Sequence, residues 1–119
     1  MQTSKAIEIL GKTYEVKYPN VGQKLQIENV KLLFTDGNYG DLARSRHNTA
    51  LELLDLVDAV AYFSILIPEI ASNLSIQDFL NMDVKRSKAY IKAFKKQFSP
   101  WFDELEAELN KEDSENEAE

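Results

Sequence analysis

Few residues in this chain could make or break bonds. Cysteine is absent and His47 is the only histidine. Zinc could be held only by His47 with carboxylates gathered by folding, and no pair around His47 has a ligand spacing. Asp55 and Asp58 stand at i,i+3 and would share a helix face, an arrangement that suits a divalent ion or acid–base work. Nothing beside them supplies a nucleophile. Thr35-Asp36-Gly37-Asn38-Tyr39-Gly40 looks like a ligand loop. It lacks the Lys-Ser/Thr ending of a phosphate loop, the dinucleotide fingerprint and the twelve-residue calcium pattern, so it reads as a turn. The expectation is a chain with no catalytic residues, no metal and no cofactor, hence not an enzyme.

Charge is the stronger signal. The formal net charge of the 119 residues is −6, but the two signs are segregated. Six basic residues and no acidic one lie from Lys85 to Lys96, and nine acidic residues against Lys111 alone lie from Asp103 to Glu119. Lys88, Lys92, Lys95 and Lys96 would line one face of an amphipathic helix, with Ile91 and Phe94 turned inward. One reading makes both segments solvated surface. The other makes the basic face a docking site for an acidic protein segment, with Tyr90 and Trp101 as its apolar members. The predicted protein-binding residues are therefore Lys88, Lys92, Lys95, Lys96, Tyr90 and Trp101. A nucleic-acid partner is disfavoured, because the overall balance is acidic and no zinc finger or helix-turn-helix pairing is evident.

The elements that must position these residues make an α+β domain: an N-terminal β-hairpin followed by a bundle of four or five helices. The folded domain is placed at 1–110, with the hairpin at 5–18, the helical part at 20–110 and an acidic mobile tail at 111–119. In the hairpin, Ile7 and Ile9 alternate with Glu8, and Tyr14, Val16 and Tyr18 alternate with Glu15 and Lys17. A type II′ turn at Gly11-Lys12 would pair Ile9 with Tyr14 and Ile7 with Val16. Asn20 and Gln23 form a capping box for a helix ending near Phe34. That helix carries apolar residues on more than one stripe, which points to burial between several elements or against a partner. Tyr39 to His47 reads as a loop with at most one helical turn.

Thr49 and Glu52 would cap the central helix, which stops near Pro68. Leu54 and Val57 are placed in its core stripe. Ser75 with Asp78, and then Asp83, cap two further helices, and Ser99-Pro100 reads as a break and restart. The apolar run Ala59–Ile67 is too short to span a bilayer, and the opening residues lack an apolar signal core, so neither a membrane span nor a secretion signal is expected.

The run Ile7-Glu8-Ile9-Leu10-Gly11-Lys12-Thr13-Tyr14-Glu15-Val16, then Pro19-Asn20-Val21-Gly22-Gln23, then Leu25-Gln26-Ile27-Glu28-Asn29 and a helical remainder resembles the small tail assembly chaperones of long-tailed phages. The resemblance reaches to about Leu109 and rests on short motifs. It implies a non-enzymatic protein that escorts the tape measure protein while tail tube subunits polymerise around it. It also implies a capacity to form homo-oligomers and a location in the cytoplasm of the infected bacterial host. No residue-level binding motif carries over. Two alternatives stay open: a structural virion or tail-completion protein of the same layout, and a small nucleic-acid-associated regulator.

Overall fold

The computed structural model describes residues 3–72 and 74–117. It is an α+β fold, a two-stranded antiparallel hairpin followed by helices. The hairpin consists of β1 (Ser4–Ile9) and β2 (Lys12–Lys17). The helices are α1 (Val21–Phe34), α2 (Tyr39–Arg44), α3 (Asn48–Leu66), α4 (Pro68–Ala71), α5 (Ile76–Leu80), α6 (Val84–Ala93) and α7 (Ser99–Glu117), with a π-helical turn, Phe94–Phe98, joining the last two. No helix among the described residues is long and apolar enough to cross a membrane.

The hairpin keeps the expected faces but not the expected register. The turn is Leu10-Gly11, with φ of 52° and 78°, so both central residues are left-handed as a type I′ turn requires. Ile7 consequently pairs with Tyr14, Ile9 with Lys12 and Lys5 with Val16. A contact far along the chain explains the choice. The Gln97 side chain accepts from the Glu8 N–H at 2.8 Å and donates to the Glu8 carbonyl at 2.9 Å. In the observed register Glu8 occupies a non-hydrogen-bonded pair, so its backbone groups point outward and are free for Gln97. Moving the turn one residue later would turn them into the β1–β2 ladder.

Leu10 bears the cost of this arrangement, since a residue with a Cβ is strained in the left-handed region and its side chain is largely exposed. Leu10→Asn is expected to raise stability by about 1 kcal/mol, read as a higher denaturant midpoint. An unchanged or lower midpoint would show that the turn is not strained.

Most helix ends follow local chemistry. Asn20 and Gln23 form a complete capping box, as do Ser75 and Asp78, and Asp83 accepts from the Arg86 N–H. α1 ends in a Schellman motif: Gly37 N–H donates to Leu32 O, Asp36 N–H to Leu33 O, and Asp36 takes the left-handed position with φ 52°. The Thr49–Glu52 box does not form. α3 begins two residues earlier than a Thr49 cap would place it, at Asn48, and no side chain caps it. Pro68 opens α4 at a position where its missing N–H is harmless, and holds Ile67 extended before it. Residues 39–44 form a true short helix rather than a loop.

The Ser99-Pro100 break is also absent. Phe94, Ser99 and the residues between continue in helical geometry, and Ser99 N–H reaches back five residues to Phe94 O. A proline ring clashes with the carbonyl four residues before it, and the wider π turn is the local adjustment that lets Pro100 sit in a continuous helix. Residues 84–117 thus make one rod of about 51 Å at 1.5 Å per residue, matching the longest extent of the molecule, 52 Å. The acidic end expected to be mobile from residue 111 is helical as far as Glu117, and residues 118–119 lie outside the described residues.

The core gathers around the second half of α3. Val57, Ala59, Val60, Ala61 and Phe63 are fully buried there, meeting Ile7 and Val16 of the hairpin, Ile27 of α1 and Phe98 of the rod. The first turns of α3 protrude: Leu51 and Leu53 are exposed, and Leu54, placed in the core from its spacing, is only half-buried.

Candidate protein-binding site

α6 and the π turn display the basic residues because Asp83 sets the start of the helix and Tyr90, Ala93 and Phe98 fix its buried side. At 100° per residue, Lys88, Lys92, Lys95 and Lys96 fall on one exposed face. That face meets the protruding start of α3 in an open groove of about 340 Å³, lined by Glu52, Asp55, Lys88, Ile91, Lys92, Lys95 and Lys96. Ile91, half-buried, supplies the apolar element of the lining.

The four lysines are not equivalent. Lys95 Nζ lies 2.8 Å from Asp55 Oδ2, and this hydrogen bond raises its pKa above the ordinary lysine value. Lys95 therefore serves to tie the rod to α3. Among the described residues, Lys88, Lys92 and Lys96 form no ion pair with a carboxylate, so their charge faces the solvent over the groove. Among the described residues no ion pair joins the acidic stretch to them. That stretch lies farther along the same rod, where Glu106 accepts from the Tyr18 hydroxyl at 2.6 Å and pairs with Lys24 at 3.5 Å. Lys96 and Asp103, where the two stretches come nearest along the rod, are seven residues apart, about 10 Å, close to one screening length at physiological salt.

Two of the predicted site residues are elsewhere. Tyr90 is 3% exposed and Trp101 8%, so both belong to the core rather than to a partner-facing surface. Tyr90 projects from the opposite side of α6, near Phe63, while Arg86 stacks on its ring at 5.6 Å. Its angular offset of about 160–200° from Lys88 and Lys92 was readable from helical spacing. Trp101 follows Phe98 on the buried side because the helix does not break before it, and the two rings meet edge-on at 5.7 Å. Ile91, about 60° from Lys88 and 40° from Lys95 on the wheel, is the apolar residue that lines the groove.

The carboxylate pair of α3 is divided between two tasks. Asp55 holds Lys95. Asp58 accepts from the Tyr39 hydroxyl at 2.6 Å and lies 3.9 Å from Lys31 Nζ. Lys31 is buried, 3.1 Å from Glu28 and 5.2 Å from the centroids of both Tyr39 and Tyr62. Burial raises the Asp58 pKa, against the lowering effects of Tyr39 and Lys31, and pushes that of Tyr62 up to about 12. This cluster clasps α2, which has no buried residue of its own, onto α1 and α3. His47 is exposed at the start of α3, and no cluster of three or more potential metal ligands occurs among the described residues.

Comparison with protein-family models, with curated proteins and with solved structures finds no match.

Proposed function

We propose that this protein is a non-enzymatic chaperone that holds an acidic, partly apolar segment of another protein in the groove between α3 and α6. The observation that carries this reading is the set of three lysines, Lys88, Lys92 and Lys96, which line the groove with Ile91 and form no ion pair with a carboxylate among the described residues. A helix laid in such a groove would bury apolar residues on Ile91 while its carboxylates meet the lysines. Together with the resemblance to tail assembly chaperones, this reading makes the partner the phage tape measure protein, escorted in the cytoplasm of the infected host during tail assembly.

Exposed charges contribute little affinity each and act mainly on encounter. Lys92→Glu with Lys96→Glu is therefore expected to slow association with the co-expressed tape measure protein about tenfold at low salt, with the difference shrinking as salt is added. Circular dichroism should be unchanged. Equal rates at low salt would remove the groove from the binding site. Stoichiometric presence in purified virions would favour a structural tail protein instead, and tight binding to DNA at physiological salt would favour the regulator.

A further inference from the structure

The hairpin has two outer edges, and the fold covers only one of them. β1 runs beside α6 and the π turn, where the Gln97 side chain takes both outward backbone groups of Glu8, at 2.8 and 2.9 Å. β2 has β1 alone packed along its backbone among the described residues. In the observed register Thr13 stands opposite Glu8, Glu15 opposite Ala6 and Lys17 opposite Ser4. These are non-hydrogen-bonded pairs, so the N–H and C=O of Thr13, Glu15 and Lys17 point away from β1. No group of the described residues meets them, and all three residues are exposed. An open row of donors and acceptors in strand geometry is a template for a further strand. A helix cannot fill it, because a helix bonds its own backbone groups internally.

The side chains along this edge say which strand. Directly opposite residues of neighbouring strands share a face. On the outer face Glu15 matches a basic residue and Lys17 an acidic one. On the inner face stand Lys12, Tyr14 and Val16, whose β1 partners Ile9 and Ile7 are buried. Lys12 and Tyr14 also line a groove of about 290 Å³ shared with Ile70, Arg86 and Tyr90, in which Glu69 is the one acidic side chain. Lys12 sits over the Tyr14 ring at 5.4 Å and Arg86 over that of Tyr90 at 5.6 Å. Neither cation is paired with a carboxylate among the described residues. The residue opposite Lys12 is therefore acidic, and the one opposite Tyr14 apolar. Antiparallel pairing is the more stable per residue, so the matching segment reads acidic, apolar, basic, apolar, polar, acidic from its N-terminus.

We infer that the outer edge of β2 is a second protein-binding site, taking an extended segment of this pattern from a partner protein by antiparallel strand addition at Thr13, Glu15 and Lys17. None of these residues lines the groove between α3 and α6.

The probe is the peptide acetyl-Glu-Val-Lys-Val-Thr-Glu-amide. Titrated into the isotope-labelled full chain, it should move the N–H resonances of Thr13, Glu15 and Lys17 downfield and slow their hydrogen exchange. Tyr14 and Val16, already bonded to β1, should change little. Exchanging the acidic and basic residues of the probe should weaken binding about tenfold. Methylating the backbone nitrogen of its lysine, which faces Glu15, should abolish binding without any change to the protein. Glu15→Pro removes the same link from the other side, at an edge position that tolerates proline, and should abolish binding with an unchanged circular dichroism spectrum. Lys92→Glu with Lys96→Glu should bind the probe as the wild type does. No shift at about 5 mM probe, shifts without the alternation along β2, or binding that survives the methylated probe overturns the inference. Loss of binding in the lysine variant places the probe on α6 and overturns it as well. A free chain that dimerises with the same N–H groups protected gives the edge to a second copy and overturns the assignment to a partner's segment.

Discussion

Replacing Phe98 with alanine is expected to cost about 3–5 kcal/mol, a large part of the stability of a domain this size. Phe98 is fully buried where the rod crosses the end of α3. Its ring meets Tyr62 at 5.1 Å, Phe63 edge-on at 5.9 Å, Phe94 and Phe102 stacked at 5.3 Å, and Trp101 at 5.7 Å. Alanine would leave a cavity lined by rings from both helices, and rings fixed by so many neighbours cannot close it. Phe98 also lies beside Gln97, so a shift here loosens the grip on Glu8 and with it the hairpin. Urea denaturation followed by tryptophan fluorescence measures the loss, since Trp101 adjoins the cavity. A cost below about 1 kcal/mol would show that the rod and α3 are not packed through this residue.

The second large effect concerns Lys31. Lys31→Met keeps the aliphatic stem between Tyr39 and Tyr62 but leaves the half-buried Asp58 without its cation. The expected cost at pH 7 is about 2–3 kcal/mol, lower than for a fully buried pair because Asp58 retains the Tyr39 hydroxyl. The sign of the pH dependence follows from Asp58. Its folded pKa is already raised above 3.8 by burial, so its protonation favours folding below that value, and the benefit is lost as pH rises through the folded pKa. Lys31 opposes the rise. Removing it lifts the folded pKa further, so the variant should regain stability on acidification toward pH 4, more steeply than the wild type. Adding Asp58→Asn should recover much of the loss at pH 7 and flatten that pH dependence. A Lys31→Met penalty independent of pH would separate Lys31 from Asp58.

The candidate site was legible wherever one helical turn contains the information. Lys88, Lys92, Lys95 and Lys96 share a face because α6 and the π turn keep helical spacing, and Asp83, Asn20 and Ser75 cap their helices because a cap needs only the backbone three residues on. Tyr90 and Trp101 were misplaced for different reasons. The wheel already set Tyr90 apart from the lysines. Trp101 depended on whether the chain breaks at Pro100, and a proline permits either outcome.

The sequence by itself determined the α+β class, the hairpin's inward face, the start and end of α1 and the segregation of charge, all products of short-range periodicity and capping chemistry. Only the tertiary structure decided the rest. Gln97, far along the chain, selects the hairpin register by claiming the outward backbone groups of Glu8. Packing of Phe94, Phe98 and Phe102 against Tyr62 of α3, with Trp101 set on Phe98, goes with a π turn before Pro100 rather than a break. The start of α3 brings Asp55 to Lys95, while Lys88, Lys92 and Lys96 form no ion pair among the described residues. Each of these outcomes depends on a contact between residues distant in sequence, where a local preference of about 1 kcal/mol yields to the larger free energy of burying rings and satisfying backbone polar groups.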